Sequence, residues 1–137
     1  MGGDNAPASV IYGADIAKAQ ASRVEFIFVG DESQVRPLLT QTQHLQNAEI
    51  LHTNIAVAAE DTASQAVRRG RDSSMWRAIA KVADKKADAV VSAGNTGALM
   101  AMSKLQLRTM PGVTRPAIAG FFPTEQKRMC MLDLGAN

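Results

Sequence analysis

The stretch Val90-Val91-Ser92-Ala93-Gly94-Asn95-Thr96-Gly97-Ala98-Leu99-Met100-Ala101-Met102 changes character in its middle. It opens with β-branched apolar residues, breaks into glycines and small polar residues, and resumes with good helix formers. That order predicts a buried strand over 87–92, a bare turn, and a helix over 96–107. A strand passing through a glycine turn into a helix is one half of a βαβ unit.

The same alternation extends outward on both sides. Apolar residues at Val10, Ile11, Ala14, Ala17 and Ala21 give 6–21 a helical spacing, with Pro7 suited to a first turn. The β-branched and aromatic run 24–29 stops at Gly30-Asp31 and predicts a buried strand. A short helix interrupted by Pro37 is expected over 33–40, a strand over 49–52 and a helix over 62–69. After the loop 70–72, the hydroxyls of Ser73 and Ser74 precede an amphipathic helix over 75–83. Short strands are expected over 117–119 and 129–134. Strands alternating with helices predict an α/β fold whose mostly parallel sheet is covered by helices on both faces, with ligands beyond the C-terminal ends of the strands.

A length of 137 residues suits one domain, and 46% hydrophobic with 20% charged residues is an ordinary globular composition. The net charge of +2 is too small to argue for a nucleic-acid surface. The single cysteine, Cys130, excludes an internal disulfide; within Met129-Cys130-Met131-Leu132 it reads as a buried, inert thiol. No apolar run approaches the roughly 20 residues of a spanning helix. Met1-Gly2-Gly3-Asp4-Asn5 lacks the basic and apolar regions of a signal peptide, so the chain reads as cytosolic.

Chemistry concentrates in three glycine turns, at Gly2-Gly3-Asp4-Asn5, at Ser92-Ala93-Gly94-Asn95-Thr96-Gly97 and at Asp133-Leu134-Gly135-Ala136-Asn137. In the second, the first N–H groups of the following helix have no intrahelical partner and carry the positive end of its dipole. Glycines there permit close approach, and an anion such as phosphate fits. On the turn alone an alternative stays open, in which Gly94 turns the chain, Asn95 or Thr96 caps the helix and nothing binds. Neither a Walker A loop nor G-x-G-x-x-G is present, so nucleotide binding is not implied. His44 and His52 have no companion ligand at metal spacing, and no metal is expected. Arg68-Arg69-Gly70-Arg71 fits a solvated, dipole-complementing helix end, or else a contact with an acidic partner or phosphate. Arg115 lies in a loop from which it could reach the sheet edge. Trp76, Met100 and Met102 fall at helical spacing and read as core.

Taken together, MGGDNAP at 1–7, FVGD at 28–31, Asp72-Ser73-Ser74-Met75, ADAVVSAGNTGALMA at 87–101, Met110-Pro111-Gly112-Val113, RPAIA at 115–119 and LDLGAN at 132–137 resemble the bacterial phosphate acyltransferases of phospholipid synthesis. The match keeps the same order from first residue to last. One departure falls at Asp61-Thr62-Ala63-Ser64, where the family carries a proline and this chain has Ala63.

The resemblance implies transfer of a long-chain acyl group from acyl carrier protein to inorganic phosphate, giving acyl phosphate. It also implies a three-layer α/β/α sandwich similar to phosphotransacetylases and the isopropylmalate dehydrogenase-like group. No cofactor is implied, and family members are cytosolic homodimers with peripheral membrane association. Residues 1–137 would be the N-terminal part of one catalytic domain, its first strand and C-terminal half lying outside this sequence. Carried over by position, Gly2, Gly3, Asp4, Asn5, Ser73, Ser74, Ser92, Gly94, Gly97, Asp133, Gly135 and Asn137 line a phosphate and substrate cleft. Asn95 and Thr96 orient the phosphate there, and Arg115 offsets its charge. Two competing functions are a phosphotransacetylase-like enzyme acting on acyl-coenzyme A and a noncatalytic phosphate-binding domain.

Overall fold

Asp31 ends the first predicted strand and starts the helix after it. Its carboxylate accepts from the Ser33 N–H at 2.9 Å and the Ser33 hydroxyl at 2.7 Å, which caps a helix from its first turn. The computed structural model describes residues 2–134 and has an α/β architecture. Its first region comprises α1 (Ala8–Gln20), β1 (Ile27–Gly30), α2 (Glu32–Leu39) and β2 (Glu49–His52). β1 and β2 pair in parallel, from Ile27 opposite Glu49 to Gly30 opposite His52. Ile11, Phe28, Val35, Leu39 and Leu45 form the core here, Val35 and Leu39 meeting it through their i, i+4 spacing. The Asp15 carboxylate accepts from the N–H groups of Gln43 and His44, at 3.2 and 2.8 Å, and ties the following loop to α1. Pro37 does not interrupt α2: it sits on the exposed face, where water can serve the carbonyl that its missing N–H leaves unbonded.

The second region comprises α3 (Ala63–Arg69), α4 (Ser74–Ala83) and α5 (Thr96–Leu107). Ala66, Met75, Ile79, Ala98 and Met102 make a separate core cluster, and the small Ala66 and Ala98 let α3 and α5 lie close. Gly70 ends α3 against α5, where an added Cβ would come within 2.7 Å of Met102 Cε. Trp76 is partly buried against this cluster, Met102 is fully buried in it, and Met100 is half-buried outside it. α4 also packs on β1, joining the two regions.

Three further expectations change. Residues 87–92 form no strand, because among the described residues no neighbour supplies the ladder that a strand requires, and Val91 is 88% exposed. The last two strands, β3 (Ala119–Pro123) and β4 (Arg128–Leu132), pair antiparallel, with Ala119 opposite Leu132 and Pro123 opposite Arg128. A tight connection can join only antiparallel neighbours, and Thr124 closes this one by donating its N–H and its hydroxyl to the Lys127 carbonyl at 2.8 and 2.7 Å. The described strands therefore form one parallel and one antiparallel pair, and no mostly parallel sheet covered on both faces is built from them. Finally, Cys130 is exposed, since among the described residues β4 pairs only with β3 and every residue of β4 is open to solvent.

Candidate functional site

Two of the three glycine turns touch. Gly3 has φ +94°, and a Cβ there would lie 2.8 Å from the Ala93 carbonyl oxygen; a Cβ on Gly2 would lie 3.1 Å from Gly94 Cα. Side chains at either position would force the turns apart. Between them opens a cavity of about 570 Å³, lined on one side by Gly2, Gly3, Asp4 and Ala6 and on another by Ala93, Gly94, Asn95 and Thr96. Ala56, Val57 and Ala59 supply a third wall.

Asn95 joins the second wall to the third. Its Oδ1 accepts from the Ala98 N–H at 2.9 Å and so caps α5. Its Nδ2 donates to the carbonyls of Asp61, Ala59 and Ala58, at 2.8, 3.1 and 3.4 Å. The side-chain amide is thus committed to holding the loop, and the backbone N–H groups of Thr96 and Gly97 have no acceptor among the described residues. The first turn of α5 carries no acidic residue, so the positive end of its dipole is uncompensated. Around Gly97, a Cβ would meet nothing closer than 3.5 Å. Asp4 is the titratable side chain of the cavity wall.

The other expected site residues divide. Ser92 Oγ accepts from the Gly94 N–H at 3.2 Å and shapes the turn from outside the cavity lining. Asn5 lies in the turn that leads into α1, its carbonyl accepting from the Ser9 N–H and hydroxyl. Ser73 and Ser74 are buried behind the site. The Ser73 hydroxyl accepts from the Trp76 N–H at 3.2 Å and donates to the Gly70 carbonyl at 2.6 Å, capping α4. The Ser74 N–H donates to the Ile55 carbonyl at 2.9 Å, fixing the chain just before the third wall. Arg115 is exposed, and neither it nor Asp133 lines the cavity. Gly135 and Asn137 lie outside the described residues.

Sequence reasoning missed the third wall, because Ala56, Val57 and Ala59 carry no side-chain chemistry. The only signal for it is an Asn at a helix start, whose amide needs acceptors from another segment. At the Ala63 departure, a capping box holds the loop: Gln65 donates its N–H to Thr62 Oγ1 at 3.3 Å, and Thr62 donates its own N–H to Gln65 Oε1 at 2.9 Å. The Asp61 carboxylate accepts from the Ala58 N–H at 3.1 Å. Among the described residues no helix is long and apolar enough to cross a membrane.

Comparison with known proteins adds relatives. The chain is 54% identical over its whole length to the phosphate acyltransferase of Rhodospirillum centenum, and 53% identical to those of Parvibaculum lavamentivorans and Bradyrhizobium diazoefficiens. It spans 39%, 38% and 39% of those proteins' lengths. A family model described as fatty acid synthesis protein matches residues 1–137, and the chain belongs to that family.

Proposed function

We propose that this chain forms part of an acyltransferase that moves a long-chain acyl group from acyl carrier protein to inorganic phosphate. The observation that carries this reading is the pair of touching glycine turns, which opens a cavity beside α5 N–H groups that have no acceptor. The relatives' name, phosphate acyltransferase, supplies the reaction class. Phosphate docks on the amides between Gly94 and Gly97, where the helix dipole and directed N–H groups favour an anion. Thr96 orients it through its hydroxyl, and Asn95 positions the wall.

A phosphate oxygen attacks the thioester carbonyl carbon, the new C–O bond forms, and the C–S bond breaks. Acyl phosphate and a thiol result. The phosphate proton passes to the departing sulfur, with Asp4 as the group of the cavity wall able to relay it.

Because the chain spans 39% of its relatives' length, the acyl chain and the carrier protein also meet surfaces contributed elsewhere in such a protein. In this reading residues 1–137 belong to one catalytic domain completed as a three-layer α/β/α sandwich, which gives 87–92 a strand partner. Homodimerisation, peripheral membrane contact and supporting roles for Arg115, Asp133, Gly135 and Asn137 belong to that completed domain.

The test is product analysis with the full-length protein, acyl carrier protein thioester and phosphate. Phosphate-dependent appearance of acyl phosphate is expected. Preference for a coenzyme A thioester would instead assign a phosphotransacetylase-like activity, and phosphate binding with no thioester consumption would leave a binding domain.

A further inference from the structure

α3 and α5 run side by side in the same direction. Ala63, the first residue of α3, lies next to Gly97, where an added Cβ would be 3.9 Å from Ala63 Cβ. At the other end, Gly70 abuts Met102. Between the helices runs an open groove of about 230 Å³, lined by Ala63, Ser64, Val67, Arg68 and Ala101. One end therefore lies at the first turn of α5 and the other reaches the end of α3, where Arg68, Arg69 and Arg71 are all exposed.

None of these arginines makes an ion pair or a side-chain hydrogen bond among the described residues. Asp72, the acidic residue next to them in sequence, faces Arg77 instead, at 3.5 Å. Complementing the α3 dipole explains Arg68 and Arg69, but Arg71 lies beyond the C-cap Gly70. The result is a largely apolar trough, open at the side and rimmed by uncompensated positive charge.

We infer that this groove and its arginines are the docking surface for a carboxylate-rich helix of the protein that carries the acyl thioester. The inference rests on the proposed acyl transfer and deepens it. Clustered positive charge steers an acidic partner and fixes its register, while the apolar trough receives the helix itself. A helix seated here brings its cargo to the end of the groove nearest Gly97.

The experiment compares two donors with the full-length protein: the thioester on its carrier protein, and the same acyl group on a short pantetheine thiol. For the double variant Arg68→Glu and Arg71→Glu, KM for the protein-borne donor should rise roughly tenfold. The kcat, the phosphate KM and the kinetics with the pantetheine donor should stay unchanged. Raising the salt concentration should raise the protein-donor KM of the wild type but not of the variant. The pair Arg68→Lys and Arg71→Lys should retain most wild-type behaviour. An unchanged KM for the protein-borne donor, or an equal loss with both donors, overturns the docking surface. So does loss of binding to anionic lipid vesicles with the donor KM intact, which would assign the arginines to a membrane. If the wild type makes no acyl phosphate from either donor, the proposed reaction fails instead. Direct titration of carrier protein into wild type and variant then still decides docking, and equal affinities overturn it.

Discussion

The N-termini of α2 and α5 are closed in opposite ways. α2 begins on the Asp31 carboxylate, which takes hydrogen bonds from Ser33 and from the Gln34 side chain at 2.8 Å, with Glu32 adding a second negative charge to the first turn. α5 begins on the neutral Asn95, has no acid in its first turn and opens beside a cavity. In α2 the chain supplies the anion that the helix dipole favours, so that end is complete in itself. In α5 the chain supplies a neutral cap, and the N–H groups of Thr96 and Gly97 have no acceptor among the described residues. The contrast also follows the two core clusters, one beneath the parallel strands and the other beneath the cavity.

That contrast can be broken first at the cores. Leu39→Ala and Ile79→Ala each empty a fully buried position and should each lower unfolding free energy by about 2–5 kcal/mol in urea titrations. Only Ile79→Ala should also weaken phosphate binding by calorimetry, because Ile79 lies in the cluster that holds α3 and α5. Equal weakening by both would mean that the two regions act as one unit.

Next, Gly97→Glu gives α5 the kind of end that α2 has. Phosphate affinity should fall about tenfold or more as the new carboxylate occupies the dipole, while replacing a helical glycine adds up to about 1 kcal/mol of stability in thermal unfolding. Phosphate binding as tight as wild type would remove the α5 end from the site.

A smaller effect is expected for Asn95→Ala, which removes the cap at a cost of about 1 kcal/mol and releases the carbonyls of Ala58, Ala59 and Asp61. Hydrogen exchange should accelerate in the 56–61 segment relative to α2. Unchanged exchange there would show that the third wall holds without its amide latch.

The smallest change belongs to Asp31→Asn. The Ser33 side chain, and then that of Gln34, hold the Asp31 carboxyl below its ordinary value. Its folded-state pKa is depressed, so its stabilising contribution is full above the ordinary carboxylate range and is lost as pH falls through the lowered value. Acid titration of wild type should therefore show a shallow loss of stability in that range that the asparagine variant lacks. The effect is slight and salt-sensitive because the group is exposed. Phosphate binding should not change.

The elements whose ends carry their own signals were legible in the sequence. Ser73 predicts the cap of α4, 49–52 forms a strand where its residues predict one, and the glycine turn delivers α5 at Thr96. Each depends on residues within one turn or one strand of each other. Elements that need a distant partner were not legible. Val90 and Val91 have strand chemistry, yet a strand is a relation between two segments, and 87–92 has no partner segment among the described residues. Cys130 lies in an apolar run whose burial depends on what covers the hairpin.

By itself, the sequence determined the helices, the first parallel strands, the caps of α4 and α5, and a bare turn before α5, because propensity and capping act over a few residues. It also determined the family, through motifs kept in order along the whole chain. Tertiary structure alone decided that Gly2 and Gly3 press against Ala93 and Gly94, and that Asn95 spends its amide on Ala58, Ala59 and Asp61. It alone left Arg115 outside the cavity. Those contacts join segments tens of residues apart, and only the packing of the helices beneath them sets such distances.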